Sequence, residues 1–343
     1  MSEEIVNVLF IFQVREELKE YFLANLTEVT NLNLIFLEKA EEEEYLKYIS
    51  NVEVIVGWRP SKELLLSAEK LKLFINPGVG VQHLIPLFKE VNAEREKPIT
   101  LVNGHGNTYF TATHTVALLL ALMNKIIPHH NWMSEGRWRT RDDDARSIPL
   151  RDRKIGLLGY GAVNKIVHRF LAGFQVDFAI LRRSWEGKNE ELPGPVTKFT
   201  YEQLDDFFEE IDILIVAVPL TSLTKGMIKK EQLRLLGEKG IVVNVGRGEV
   251  IKEEDLYWAL KEKIIAGAAI DVWYDYNPEE DQEGKKYPSS QPFHKLTNIV
   301  LSPHRGASPM NDLERWSEVV ENIKLVVAKS DKVINLVDLE LEY

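Results

Sequence analysis

With 343 residues, 45% of them hydrophobic and 28% charged, the chain has the profile of a globular protein longer than one core usually serves, so two domains are expected. Its formal net charge of -11 speaks against nucleic acid or an anionic membrane as the main partner, because both reward basic surfaces. It has no cysteine, which excludes disulfides, thiolate metal ligation and a cysteine nucleophile together, and nothing in it points to a metal site.

The first hundred residues alternate short apolar runs with helical patterns: "VNVLFIF", "REELKEYFLANL", "LNLIFLE", "EEEEYLKYI", "VEVIVGW", "SKELLLSAEKLK", "LKLFINPGVG". Strand and helix in this alternation predict a parallel sheet with helices on its faces. "VNVLFIF" lacks the basic flank and cleavage signal of a secretory peptide and reads as a buried strand; no run of about 20 apolar residues follows, and a cytoplasmic protein is expected. The charge run "KAEEEEYLK" reads as a solvated helix face. One long helix, apolar almost all round, is expected through "TATHTVALLLALMNKII".

After the arginine-rich stretch "SEGRWRTRDDDARSIPLRD", a second series begins at Lys154, with strands in "KIGLLG", "VDFAIL", "DILIVAVP", "GIVVNVG", "IAGAAIDV" and "NIVLSPH". The last helix, "NDLERWSEVVENIKLVVAKS", follows that series with no strand after it, so the chain is expected to cross back to the first domain. The fold class is thus α/β, with two doubly wound parallel-sheet domains. A flavodoxin-like substrate domain, residues 1–105 and 308–343, flanks an inserted Rossmann-type dinucleotide-binding domain, residues 106–307.

"KIGLLGYGAVNKIVHRF" carries the first chemistry. Gly159 permits a tight bend, Gly161 lets backbone N–H groups approach a pyrophosphate, and Tyr160, Ala162 and Val163 complete the turn at the positive end of the next helix. The third glycine of the pattern is Asn164, at a position concerned with helix packing and not with phosphate contact. The second strand of the series then ends in "AILRRSW". Arg182 and Arg183 stand where an acid would bind the ribose hydroxyls of NAD, so NADP is the expected cofactor, with NAD possible.

The glycine turn, "AVPLTSLTKGMI", "VVNVGRGEVIKEEDLYWAL", "AGAAIDVW" and "NIVLSPHRGAS" together resemble the D-isomer-specific 2-hydroxyacid dehydrogenase family. The likeness extends back to "NPGVGVQHL", "GNTYFTATHTVALLLAL" and "EGRW". It implies hydride transfer between a nicotinamide cofactor and a small 2-oxo or 2-hydroxy acid of the glyoxylate or hydroxypyruvate kind, in a cleft between the domains. Arg247 matches the family's catalytic arginine and His304 its acid/base; a permanent guanidinium fork suits a carboxylate, and an imidazole can give and retake one proton near neutrality. The resemblance also implies that Asp271 touches the nicotinamide carboxamide and Pro219 lines the cofactor groove. It puts the backbone of Val79 and Gly80 on the substrate carboxylate, with Arg59 as a second anchor, and makes a homodimer the expected assembly. Trp138, with Arg139 and Arg141, either reaches the partner's active site or lies on a solvent-exposed loop.

One departure stands out. Members carry a glutamate before a proline, five residues beyond the aspartate matching Asp271, which orients the histidine; here Tyr276 has that spacing and Asn277 precedes the proline. Tyr276 is therefore the candidate to face His304, with Asn277 and Asp275 as alternatives. The substitution keeps two other readings open: the same fold acting on another donor such as phosphite or formate, and a dinucleotide-sensing, corepressor-like binding protein.

Overall fold

The short apolar runs of the sequence lie inside two sheets, covered on both faces, which is why most read as continuous rather than alternating. The computed structural model describes residues 4–138, 146–187, 191–309 and 311–343. They divide into two compact units, Met1–Asn107 with Pro309–Tyr343, and Thr108–Ser308.

The first unit is built on five parallel strands, β1 (Val6–Phe10), β2 (Leu32–Phe36), β3 (Val54–Val56), β4 (Leu73–Asn76) and β5 (Thr100–Asn103), in the order β2-β1-β3-β4-β5. This is the flavodoxin-like doubly wound order, with its switch point between β1 and β3. Successive residues of β1 serve opposite cores. Leu9 packs with Ile55, Leu64, Leu65, Phe74 and Phe88. Val8 and Phe10 pack with Phe22 of α1 (Glu16–Asn25) and with Val319, Val320 and Ile323 of α11 (Ser317–Val327), so the end of the chain closes the face that its beginning opens. Phe10 and Phe22 are fully buried, and truncating either to alanine is expected to cost about 3 to 5 kcal/mol.

The second unit holds seven parallel strands: β6 (Lys154–Leu158), β7 (Asp177–Leu181), β8 (Val196–Phe199), β9 (Ile213–Val216), β10 (Ile241–Asn244), β11 (Gly267–Ile270) and β12 (Ile299–Leu301). Their order is β12-β11-β10-β9-β6-β7-β8, the Rossmann order with one added strand and a switch point between β6 and β9. Ligands of such sheets bind beyond the carboxyl ends of the strands at the switch point, and the glycine turn leaves β6 there.

Two local expectations need correction. The long apolar helix is broken into α5 (Thr108–Met123) and α6 (Ile126–Ser134), bent by 63°. Lys125 between them is left-handed, and the carbonyl of Met123 accepts from the N–H of Ile148 at 2.7 Å, so the helical ladder cannot run on. Among the described residues no single helix is long and apolar enough to cross a membrane; α5 instead buries Leu118, Leu119, Leu122 and Met123 against the sheet of its own unit. The other correction is a strand the sequence does not advertise: β8 pairs only with β7, at the sheet edge, and only Phe199 of its four residues is fully buried.

Candidate active site

At the end of β6 the chain turns through Gly159, whose φ of +81° and N–H to Leu181 O contact of 2.8 Å leave no room for a side chain; a Cβ there would lie 2.6 Å from Val218 Cγ1. Gly161 then caps α7 (Ala162–Leu171), and a Cβ built on it would stand in open space in front of the helix amides. Open space at the positive end of a ten-residue helix fits a dinucleotide pyrophosphate. Asn164 does more than replace a glycine. Fully buried, its Nδ2 donates to Leu158 O at 3.2 Å and Gly159 O at 2.7 Å, pinning the turn from behind. Tyr160 is turned inward, its hydroxyl 2.8 Å from His168 Nδ1, so of the five expected turn contacts this residue has only backbone to offer. Burial pushes the His168 imidazole down to about 4.

At the end of β7, Arg182 is half-buried and Arg183 exposed. The Arg182 guanidinium lies 5.2 Å from the ring centre of Trp185, the ammonium of Lys198 on β8 lies 4.6 Å from it, and Trp185 Nε1 donates to Phe199 O at 3.0 Å. Two cations, Arg182 and Lys198, thus share one ring that favours them, with Arg183 next in sequence. Lys198 carries no signal in the sequence because its strand, β8, does not stand out there. Pro219, exposed beyond β9, accepts through its carbonyl from Thr224 Oγ1 at 2.6 Å.

Arg247 follows β10 in a turn set by Asn244, which accepts from Gly246 N at 3.1 Å and donates to Arg247 O at 3.0 Å. Burial lowers the pKa of its guanidinium from a very high starting value. His304 sits in the left-handed region at φ +54° on the loop after β12. Tyr276 lies beside it, ring centres 5.4 Å apart, its hydroxyl accepting from Trp273 N at 3.3 Å. Tyr276 is 53% exposed, yet the protein packed around its phenol raises it, partly opposed by the Trp273 N–H and the Arg247 cation. His304 keeps accessible surface, yet the protein around its ring, then Arg247, hold its pKa below the usual imidazole value, with Asp271 opposing weakly. Among the described residues no carboxylate forms an ion pair with His304, and Asp275 accepts instead from Asn277 N in its own turn at 2.8 Å.

Asp271 is 2% exposed and turned toward the loop that carries His304. Its oxygens accept from Ser302 Oγ, Arg305 N and Gly306 N at 2.5, 2.7 and 2.9 Å. These bonds, with one from His114, outweigh the opposing effect of burial and hold the carboxyl below its usual range.

In the first unit Val79 and Arg59 are exposed and Gly80 partly so. The carbonyls of this loop are tied down: Asn76 Nδ2 donates to Gly78 O and Gly80 O at 2.5 and 3.3 Å, and Asn103 Nδ2 to Val79 O at 2.8 Å. The Val79 and Gly80 N–H groups donate to no other group among the described residues, as an anion site requires. Trp138 is 73% exposed, and Arg139 and Arg141 lie outside the described residues.

The sequence pattern of the D-isomer specific 2-hydroxyacid dehydrogenase NAD binding domain matches residues 116–306, more than half of the chain. The chain belongs to the D-isomer specific 2-hydroxyacid dehydrogenase family. It is accordingly an NAD(P)-dependent oxidoreductase of 2-hydroxy or 2-oxo acids. This family member is 28% identical over 308 residues to the glyoxylate reductase of Pyrococcus furiosus, covering 87% of this chain and 86% of that protein. It is 28% identical over 338 residues to the D-3-phosphoglycerate dehydrogenase of Archaeoglobus fulgidus, covering 97% of this chain and 59% of that longer protein. Among solved structures, a D-isomer specific 2-hydroxyacid dehydrogenase from Xanthobacter autotrophicus in complex with NADPH and MES superposes with a TM-score of 0.77 at 23% identity, over 99% of this chain and 100% of that one. An NADPH-dependent glyoxylate/hydroxypyruvate reductase of Sinorhizobium meliloti does so with a TM-score of 0.70 at 24% identity, over 98% of each. At such identities the structures speak for the fold.

Proposed function

We propose that this dehydrogenase reduces small 2-oxo acids of the glyoxylate and hydroxypyruvate kind with NADPH, reversibly. The observation that carries the reading is the grouping of Arg247, His304 and Tyr276 beyond the carboxyl ends of the second sheet, where Arg247 acts on both neighbours electrostatically. The glyoxylate reductases among the relatives supply the substrate class.

The bound nicotinamide would supply or accept the hydride. The residues from Gly159 to Val163 would hold its pyrophosphate, Arg182 and Arg183 the extra phosphate that marks NADP, and Pro219 and Asp271 the nicotinamide end. Val79 and Gly80 N–H groups take the substrate carboxylate, with Arg59 as a second anchor. Arg247 polarises the carbonyl by standing as a fixed cation where negative charge develops on oxygen. His304 gives its proton to that oxygen in reduction and takes it back in oxidation. Tyr276 flanks the imidazole without the charge of a carboxylate, so a proton on His304 is less stabilised. We further propose a homodimer made through the second unit, supported by the exposed Ile126, Ile127 and Met133 of α6, in a cytoplasmic setting.

The test is a rate panel: glyoxylate, hydroxypyruvate and pyruvate with NADPH or NADH, and formate and phosphite with NADP. Reduction of glyoxylate or hydroxypyruvate with NADPH is expected, falling by roughly 100-fold or more in His304→Gln and in Arg247→Ala. Oxidation of formate or phosphite with no reduction of any 2-oxo acid would overturn the reading, as would cofactor binding without turnover.

A further inference from the structure

His304 has no hydrogen bond of its own among the described residues and occupies a backbone conformation that costs an L-residue about 1 to 3 kcal/mol. Its aim must therefore come from the chain on either side. Both sides end on one carboxylate: Ser302 Oγ donates to Asp271 Oδ1 at 2.5 Å, Arg305 N to the same oxygen at 2.7 Å, and Gly306 N to Oδ2 at 2.9 Å. The approach is so close that a Cβ on Gly306 would lie 2.9 Å from Asp271 Oδ2. Trp273 Nε1 adds a bond to Ser302 O at 2.8 Å.

A third side chain completes this cluster from another element. His114, on α5, places Nε2 at 2.9 Å from Ser302 Oγ and 3.4 Å from Asp271 Oδ1. The Ser302 hydroxyl has one proton and gives it to Asp271, so His114 Nε2 is the donor in its contact with that hydroxyl. The bonds run in one direction, from His114 to Ser302 to Asp271, and chains of this kind strengthen each member. Asp271 and Ser302 are nearly inaccessible to water, at 2% and 6% exposure, so a missing donor here is not replaced by solvent.

We propose that His114 is a positioning residue of this enzyme. Through Ser302 and Asp271 it locks the 302–306 loop and so aims the His304 imidazole, the task a glutamate beside the histidine performs elsewhere in the family. The proposal rests on the reading of His304 as acid/base given above.

The test compares the full-length parent with His114→Leu and His114→Gln, since a glutamine amide can again offer an N–H to Ser302. The readouts are kcat, KM for glyoxylate, the Kd of NADPH from its fluorescence, and the carbon-13 signal of the His304 imidazole in histidine-labelled protein, assigned with His304→Gln. In His114→Leu, kcat is expected to fall roughly 10- to 100-fold while KM and Kd stay within about threefold, because a small misaim of a reacting group acts on the chemical step. The His304 signal is expected to shift or broaden, and His114→Gln to recover most of both losses. An unchanged kcat in His114→Leu, or a loss that glutamine does not rescue and that leaves the His304 signal unmoved, overturns the proposal. If His114→Leu does not fold, Ser302→Ala replaces it: it breaks the same chain, and adding His114→Gln to it is expected to change kcat by less than about twofold, whereas independent losses that multiply would refute the coupling. A parent that reduces no 2-oxo acid refutes the proposed function, while the His304 signal still reports on the lock.

Discussion

His168 is the residue of α7 through which acid is expected to reach the cofactor turn. It is fully buried, its ring centre lies 4.1 Å from that of Phe178, and Nδ1 meets the Tyr160 hydroxyl while Nε2 has no partner. A proton added there has no acceptor to share it, and burial pushes the pKa to about 4, against 6.5 for a free imidazole. Between these values the unfolded chain binds a proton that the folded chain refuses, so stability is full above pH 6.5 and is lost as pH falls toward 4. At pH 4.5 the integrated loss from this group is about 2.5 kcal/mol. The perturbation is His168→Asn, which keeps a polar partner for Tyr160 and removes the titration. The assay is denaturant unfolding of the full chain between pH 7 and pH 4.5, following whichever transition the substitution shifts at pH 7. Carboxylates titrate in both proteins and cancel in the difference. The stability of the parent relative to the variant is expected to decline by about that amount across the range. A pH-independent difference would refute the reasoning, because it would mean that the folded state accepts the proton freely.

Four other outcomes are expected. Arg182→Ala or Arg183→Ala raises KM for NADPH at least about tenfold and leaves NADH nearly unchanged, as loss of a charge-assisted phosphate contact requires; equal effects on both cofactors would count against the assignment. Tyr276→Glu gives His304 a carboxylate neighbour, so the limb along which reductive kcat/KM declines with rising pH moves up by about one pH unit or more. That limb lies low in the parent, because the protein packed around the ring, then Arg247, depress the imidazole and reduction needs its protonated form. Asn164→Leu strips the donor from the Leu158 and Gly159 carbonyls and is expected to weaken NADPH binding, measured by fluorescence, roughly tenfold or more. Trp138→Ala alters the substrate profile if the indole reaches a partner subunit's site; an unchanged profile leaves it as an exposed loop residue.

The strands with four or five consecutive apolar residues were legible because buried parallel sheets leave no polar alternation to confuse them. β8 was not, since an edge strand reading "VTKF" has one buried residue and looks like loop. The break between α5 and α6 was hidden for another reason: "LMNKII" contains no glycine or proline, and the stop comes from the distant N–H of Ile148. Around the site, Arg247, Tyr276 and His304 could be named from their motifs, but the groups that hold them in place could not. Three asparagines close apolar strands and are each at most 8% exposed: Asn244 holds the Arg247 turn, while Asn76 and Asn103 hold the carbonyls of Gly78, Val79 and Gly80. An asparagine ending such a run is the signal that would have found them. His114 gave none, because its partners, just past β11 and β12, lie more than 150 residues further on.

The closure of the first unit's core by α11 sets an order of events during synthesis. β1 leaves the ribosome roughly 300 residues before Val319, Val320 and Ile323 exist to cover Val8, Phe10 and Phe22, a delay of about 15 to 60 s at ordinary translation rates. The second unit is complete in the meantime and is contiguous in sequence, so it can fold while the first waits with an apolar sheet face bare. The nascent chain is therefore exposed to aggregation and chaperone capture at its amino-terminal strands, and a stop codon placed before residue 317 would leave a folded second unit attached to a first unit that cannot close.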